Sequence, residues 1–216
     1  MSEIKRIVAF GDSCTRGEGL PDVPEAEYTP DIPWSKYSWP ELLAAKLEVP
    51  CINQGQGAAS NRLIAHYLWN FDIQPTDLVV VLWTFPERFY IHRHKLRGRE
   101  PNGKKKLGLH ASINWSKKIP ELKRFYRDWV TLEDRDLETV MYMDLCKSHA
   151  ENLGAKYLAS TYVDLCTEEF SLPDHVPRIH NHKDNFLDLA ADRLHPGVRT
   201  QESWADQFYQ RWLDSV

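Results

Sequence analysis

At 216 residues, with 42 % hydrophobic and 27 % charged side chains, the chain has the make-up of a soluble globular protein with core enough to need neither disulfides nor a structural metal. Its formal charge of -4 hides an asymmetry: Pro86 to Arg127 holds 13 Lys/Arg against 3 Asp/Glu, a net of +10, which leaves 14 against 28, a net of -14, for the remainder. These totals exclude a disordered or collagenous chain, and the four scattered cysteines, with no Cys-x-x-Cys pair, exclude a small disulfide framework and predict reduced thiols.

Ile4 to Phe10 is a β-branched apolar run ended by glycine and predicts a buried strand, which runs straight into Gly11-Asp12-Ser13. Residues 20 to 38, rich in Pro, Asp and Tyr, predict an irregular loop. Trp39 to Leu47 carries Leu42, Leu43 and Leu47 at helical spacing behind Ser38 and a proline in the first turn, a good helix start. Cys51 and Ile52 predict a short second strand, followed by the polar loop NQGQGAASN (53–61) and a helix from Asn61 to Asn70. Asp77 to Trp83 is the most apolar stretch of the chain and predicts a central strand covered on both faces. Leu78 to Trp83 is also the longest apolar run, far below the roughly 20 residues of a membrane-spanning helix.

From about 85 to 132 the pattern dissolves into basic and aromatic residues, read as a long insertion with one or two short helices. Asp134 to Leu153 predicts a helix with Val140, Leu145 and Ala150 inward, stopped by Gly154. Ala155 to Ser160 predicts a fourth strand, 164 to 185 a loop, and Arg199 to Leu213 an amphipathic helix with Trp204, Phe208 and Trp212 on one face. Strand and helix thus alternate four times along a chain read as one domain, 1–216. That alternation predicts an α/β fold: a three-layer sandwich whose parallel sheet has four or five strands. In such sheets ligands bind beyond the carboxyl ends of the strands, so chemistry is sought in GDSCTRG, NQGQGAASN, TFPER and the segment before the last helix.

A serine hydroxyl is a weak nucleophile that needs a base within hydrogen-bond reach, itself oriented by a third group. ADRLHPG (191–197) supplies both: Asp192 three residues before His195, so that one turn of backbone can aim the carboxylate at one imidazole nitrogen and leave the other for Ser13. Other chemistries are disfavoured. A Gly-x-Ser-x-Gly elbow is absent, and Gly55-x-Gly57-x-x-Ser60 breaks a dinucleotide fingerprint at its third glycine and follows the second strand instead of the first. His92, His94, His180 and His182 with Asp174 and Asp184 have ligand chemistry, but a spacing of two faces one way only in a strand and these lie in predicted loops. They are read as solvated, and no metal is expected.

The chain resembles the SGNH hydrolases, the GDSL-type esterases and lipases. GDSCTRG matches the family's first block, DRLHP its last, and SWPELLAAKL followed by INQGQGAASNRLI resembles the helix and second block between them. The resemblance implies a flavodoxin-like strand order, Ser13 as nucleophile, His195 as general base and acid, and Asp192 as the group that orients the imidazole. It also implies an oxyanion hole built from the backbone N–H groups of Ser13 and of Gly57 or Ala58, and no cofactor. In the third block the match breaks: the family carries Gly-x-Asn-Asp, and here Trp83-Thr84-Phe85-Pro86 follows the strand, so Phe85 stands where a donating asparagine is expected. Loss of one such donor costs about 2.7–4 kcal/mol of transition-state stabilisation, so Thr84 and Asn61 are the nearest candidates to replace it.

The expected activity is hydrolysis of a carboxylic ester by acyl-enzyme chemistry, with the aromatics Phe85, Phe89, Tyr90 and Trp115 and the cations of the insertion selecting the substrate; Arg88, soon after the third strand, reads as either a surface charge or an anion clamp at the pocket. An acetylated carbohydrate, a short-chain ester and a lysophospholipid are all open as substrates, and the polar balance tilts towards the first. From another class comes a catalytically weak or inactive protein of the same fold that grips a polyanion through its basic insertion. The insertion lacks the aromatic-basic spacing of a nucleic-acid module, so nucleic acid is not expected. Four apolar residues before Gly11 are too few for a signal peptide, which with the absence of a spanning run makes the cytoplasm the expected location.

Overall fold

The computed structural model describes residues 4–23, 34–91, 109–111, 131–180 and 185–215. Its centre is a four-stranded sheet of β1 (Arg6–Phe10), β2 (Cys51–Asn53), β3 (Asp77–Trp83) and β6 (Lys156–Thr161), all parallel, in the order β2-β1-β3-β6. Every residue of β3 is buried, as its unbroken apolar run requires of a strand covered on both faces.

The two faces separate by the period-two alternation of strands. Val8, Phe10, Val79, Val81 and Trp83 point to one side, where α3 (Asn61–Asn70) and α4 (Leu132–Asn152) cover them with Leu63, Ile64, Leu68, Met143, Cys146 and Ala150. Ile7, Ala9, Leu78, Val80 and Leu82 point to the other, under α2 (Trp39–Leu47) and α5 (Val198–Ser215). There Trp39 stacks on Phe208 with ring centroids 4.4 Å apart, and both are fully buried beside Trp204. This is the three-layer sandwich expected, with four strands of the four or five.

One local expectation is corrected. On α4 the buried stripe is Asp136, Thr139, Met143, Cys146 and Ala150, so Leu145, expected inward, is 45 % exposed. One residue is about 100° of helix, and a leucine one position off the 3–4 spacing faces water whatever its hydropathy. At the start of the insertion the chain forms an antiparallel pair, β4 (Phe89–Ile91) with β5 (Leu109–Ala111). The short helices expected there, and Trp115, lie outside the described residues. Among those described, no helix is long and apolar enough to cross a membrane.

Candidate active site

The turn after β1 is built around close backbone approaches. A Cβ on Gly11 would lie 1.9 Å from Thr15 Oγ1 and 3.1 Å from the Leu82 carbonyl, so only glycine lets the chain leave the sheet here. Asp12 then caps the short helix α1 (Ser13–Arg16), its Oδ1 accepting from the Cys14 amide at 2.9 Å. Ser13 sits at the carboxyl end of β1, largely buried, and its Oγ makes no hydrogen bond among the described residues.

The second loop lies directly alongside. Gln54 N donates to the Ala9 carbonyl at 2.7 Å and Gln56 N to the Gly11 carbonyl at 3.0 Å, which continues the β1–β2 pairing past the strand ends. Asn53 locks the two loops: its Nδ2 donates to the Thr15 carbonyl at 2.8 Å, and its Oδ1 accepts from Gly55 N at 2.8 Å. Gly57 and Ala58 therefore stand beside the Ser13 turn. Ala58 has φ 56°, a left-handed conformation costly for alanine, of the kind that clusters where a backbone group must be aimed.

The segment before α5 folds back onto the same turn. Asp192 Oδ2 accepts from His195 Nδ1, and Asp192 Oδ1 accepts from the amides of Leu194 and His195 at 2.9 and 3.0 Å. Burial pushes the Asp192 carboxyl up, but the His195 hydrogen bond and these two amides outweigh it and hold the group below the ordinary carboxylate range. With Nδ1 donating, neutral His195 keeps its lone pair on Nε2, the tautomer a general base requires. The loop is anchored by Ala191 N, which donates to the Gly19 carbonyl at 3.1 Å. Ser13 and His195 are both at this turn but are not hydrogen-bonded to one another; such bonds tighten with substrate in many enzymes.

Gly19 is the point of closest contact: at φ 77° a Cβ would lie 2.8 Å from the Asp192 carboxylate. Gly19→Ala is expected to displace Asp192, to lower kcat on any ester substrate by about 10²-fold for a shift near 1 Å, and to leave the protein folded by circular dichroism.

Glu18, which no motif marked, places Oε2 3.9 Å from His195 Nε2, so the imidazole stands between two carboxylates. Burial raises the Glu18 carboxyl above its ordinary value despite the attraction of His195 and Arg16. Between the unfolded value of about 4.3 and that raised value, the folded state holds more protons, so stability falls as pH rises through the window. Glu18→Gln removes the fall. Its melting temperature should exceed that of the wild type at pH 7 and gain nothing at pH 4.

Asp12 proves to be more than a turn residue. Its side chain is fully buried, and Oδ2 accepts from Arg88 Nη1 at 2.6 Å, Tyr162 Oη at 2.6 Å and Thr84 Oγ1 at 2.7 Å. Burial alone would push its carboxyl up, yet the Arg88 guanidinium and the hydrogen bonds from Tyr162, Thr84 and the Cys14 amide hold it below the ordinary range. Burial and the neighbouring Asp12 charge push the Cys14 thiol and the Tyr162 phenol well up, so both stay protonated.

This network bears on three expectations about the third block. Thr84 Oγ1 is spent on Asp12 and accepts from Arg88 at 2.9 Å. Asn61 is spent on the backbone of Thr84, accepting from its N at 2.9 Å and donating to its O at 2.9 Å, with a further bond to Thr139 Oγ1 at 3.1 Å. Both side chains are buried and satisfied, so neither is free to replace the asparagine, because moving one would orphan a buried partner. Arg88, read as a surface charge or a substrate clamp, turns inward as the counter-ion of Asp12, with its Cζ 4.7 Å from the centroid of Phe85. Phe85 is partly buried and meets Tyr162 edge to face at 5.6 Å.

Of the histidines and aspartates weighed as ligands, His180 and Asp174 are exposed, and His92, His94, His182 and Asp184 lie outside the described residues. No group of three His, Cys, Asp or Glu side chains that could hold a metal occurs among the described residues. None of the four cysteines is in a disulfide.

No protein-family model matches the sequence, and none of the curated proteins does. Solved structures do. A family two carbohydrate esterase from Clostridium thermocellum, in complex with cellohexaose, is similar over 100 % of this chain and 65 % of its own, with 10 % identity and a TM-score of 0.54. An acetyl xylan esterase from Butyrivibrio proteoclasticus is similar over 99 % of this chain and 64 % of its own, with 13 % identity and a TM-score of 0.53. A carbohydrate esterase family 2 enzyme plus carbohydrate binding domain from Corynascus thermopiles matches over 98 % and 66 %, with 12 % identity and a TM-score of 0.53. The chain thus spans about two thirds of the length of each of these. What is shared is architecture: the chain has the SGNH hydrolase fold that its first and last blocks led us to expect.

Proposed function

We propose that this protein is a serine esterase that hydrolyses a carboxylic ester through an acyl-enzyme. The observation that carries the reading is the Asp192–His195 pair, which stands against the turn bearing Ser13 although the two segments are nearly 180 residues apart. Ser13 Oγ bonds to the ester carbonyl carbon as its proton passes to His195 Nε2, and Asp192 holds Nδ1 and steadies the imidazolium. The carbonyl oxygen, now negative, sits against the backbone N–H groups of Ser13 and of Gly57 or Ala58. Collapse expels the alkoxide, which takes the proton from Nε2. Water, deprotonated by the same nitrogen, then releases the acid and frees Ser13.

Support for an acetyl ester of a carbohydrate as substrate comes from the fold neighbours, two of which are carbohydrate esterases and one an acetyl xylan esterase. The test is turnover of p-nitrophenyl acetate and of an acetylated xylo-oligosaccharide by the wild type and by Ser13→Ala. Hydrolysis of both by the wild type, with loss of at least about 10⁴-fold in the variant, is the expected result. Equal rates for the two proteins would overturn the assignment of Ser13. Turnover of the aryl ester alone would overturn the carbohydrate part of the reading.

A further inference from the structure

We infer that the Arg88 guanidinium is the side-chain donor of the oxyanion hole, in the place that Phe85 leaves empty. The inference rests on the esterase reading above. A tetrahedral oxyanion beside Ser13 needs donors that are fixed in advance and reachable from the cleft. The two amide donors belong to Ser13 and to Gly57 or Ala58, and Arg88 bridges the residues next to them. Its Nη1 donates to Asp12 Oδ2 at 2.6 Å, the residue before Ser13, and lies 3.5 Å from the carbonyl of Ala59, the residue after Ala58.

The same guanidinium lies against the ring of Phe85, the residue at which the third block would carry its asparagine. The alternatives named in the sequence are occupied, since Thr84 and Asn61 are each committed to buried partners. Arg88 is not. A guanidinium offers five N–H groups in a rigid fork, and here Nη1 alone is engaged, while Nε and Nη2 make no hydrogen bond among the described residues. The side chain is 20 % exposed, so part of the fork is reachable from solvent. Asp12, Thr84 and the Phe85 ring fix its plane, so little ordering is left to do when charge develops on the substrate oxygen.

A structural counter-ion and a catalytic donor make different predictions once Asp12 carries no charge. In Asp12→Asn the counter-ion role is gone, but the acceptor oxygen for Tyr162 and Arg88 remains. If Arg88 stabilises the oxyanion, Asp12→Asn/Arg88→Gln should show a kcat for p-nitrophenyl acetate 10²- to 10³-fold below that of Asp12→Asn, with KM within threefold, and its rate of labelling by a fluorophosphonate should fall by a similar factor. A difference in kcat below threefold would overturn the inference, since Arg88 would then matter only through the charge of Asp12. Arg88→Lys, which keeps a cation beside Asp12 but has one nitrogen in place of the planar fork and so cannot hold Asp12 through one nitrogen while offering another to the substrate, gives the same comparison in the native background should the asparagine variants unfold. It is expected to lose 10²- to 10³-fold in kcat, and loss of less than threefold would again overturn the inference. Wild-type labelling at Ser13 separates the two levels. Labelling with no effect of Arg88 sinks this inference alone, and no labelling of the wild type sinks the esterase reading and this inference with it.

Discussion

His195→Ala is expected to cost at least about 10⁴-fold in kcat on p-nitrophenyl acetate while leaving the melting temperature close to that of the wild type. The imidazole is partly exposed, and removing the ring opens space at the rim and leaves the Asp192 carboxylate still held by the backbone amides of positions 194 and 195. Without it Ser13 Oγ has no base. Glu18 is the carboxylate nearest Nε2, and its Oε2 stands 3.9 Å from that nitrogen of the ring it would have to replace. Asp192→Asn should cost about 10⁴-fold as well, because an amide in place of Oδ2 presents a donor to Nδ1 and favours the tautomer with its proton on the catalytic nitrogen. Retention of more than one tenth of wild-type kcat in His195→Ala would remove His195 from the mechanism.

The second large effect is on stability. Asp12→Ala should destabilise the fold by about 3–5 kcal/mol, read as a shift in urea midpoint at unchanged slope, because it strands the largely buried Arg88 charge and leaves Tyr162 and Thr84 without an acceptor. Asp12→Asn should cost less, since an oxygen remains. The pH dependence follows from the depressed Asp12 carboxyl. Its contribution is present above the ordinary value near 3.9 and is lost as pH falls through the lower folded value, so the wild type should weaken below about pH 4. Asp12→Asn should lack that part of the acid loss. An Asp12→Asn curve parallel to the wild type from pH 6 to pH 2 would show that the network does not hold the carboxylate ionised.

These two effects come from parts of the molecule that the sequence disclosed unequally. β3 and α2 were legible to the residue, and α3 closely, because DLVVVLW is apolar without a break and WPELLAAKL has a proline in its first turn and leucines at helical spacing. The contact between Asp192 and His195 was legible because the two residues are local to each other, and a three-residue spacing survives folding unchanged. Where Asp12 and Arg88 go was not. They are 76 residues apart, they meet only because β1 and β3 are neighbours in the sheet, and an arginine soon after a strand reads equally well as a surface charge.

The oxyanion candidates show the same limit from the other side. Asn61 and Thr84 have donor chemistry and lie in the right loops, but sequence does not show what a donor is already bonded to. The pattern on α4 failed for a simpler reason. Hydropathy points Leu145 inward, whereas the packed face follows Met143, Cys146 and Ala150, where smaller and more pliable side chains lie against the sheet. Glu18 left no signal at all, since nothing about a glutamate between two glycines points to a histidine 177 residues later.

The central claim, that Ser13 is the nucleophile of a hydrolase, is tested most directly by the intact mass of the protein after treatment with a fluorophosphonate. Attack by Ser13 Oγ expels fluoride and leaves one phosphonyl group per chain. The wild type should gain that single adduct on the peptide containing Ser13, and Ser13→Ala should gain none. A folded wild type that takes no adduct, or an adduct that persists in Ser13→Ala, would contradict it.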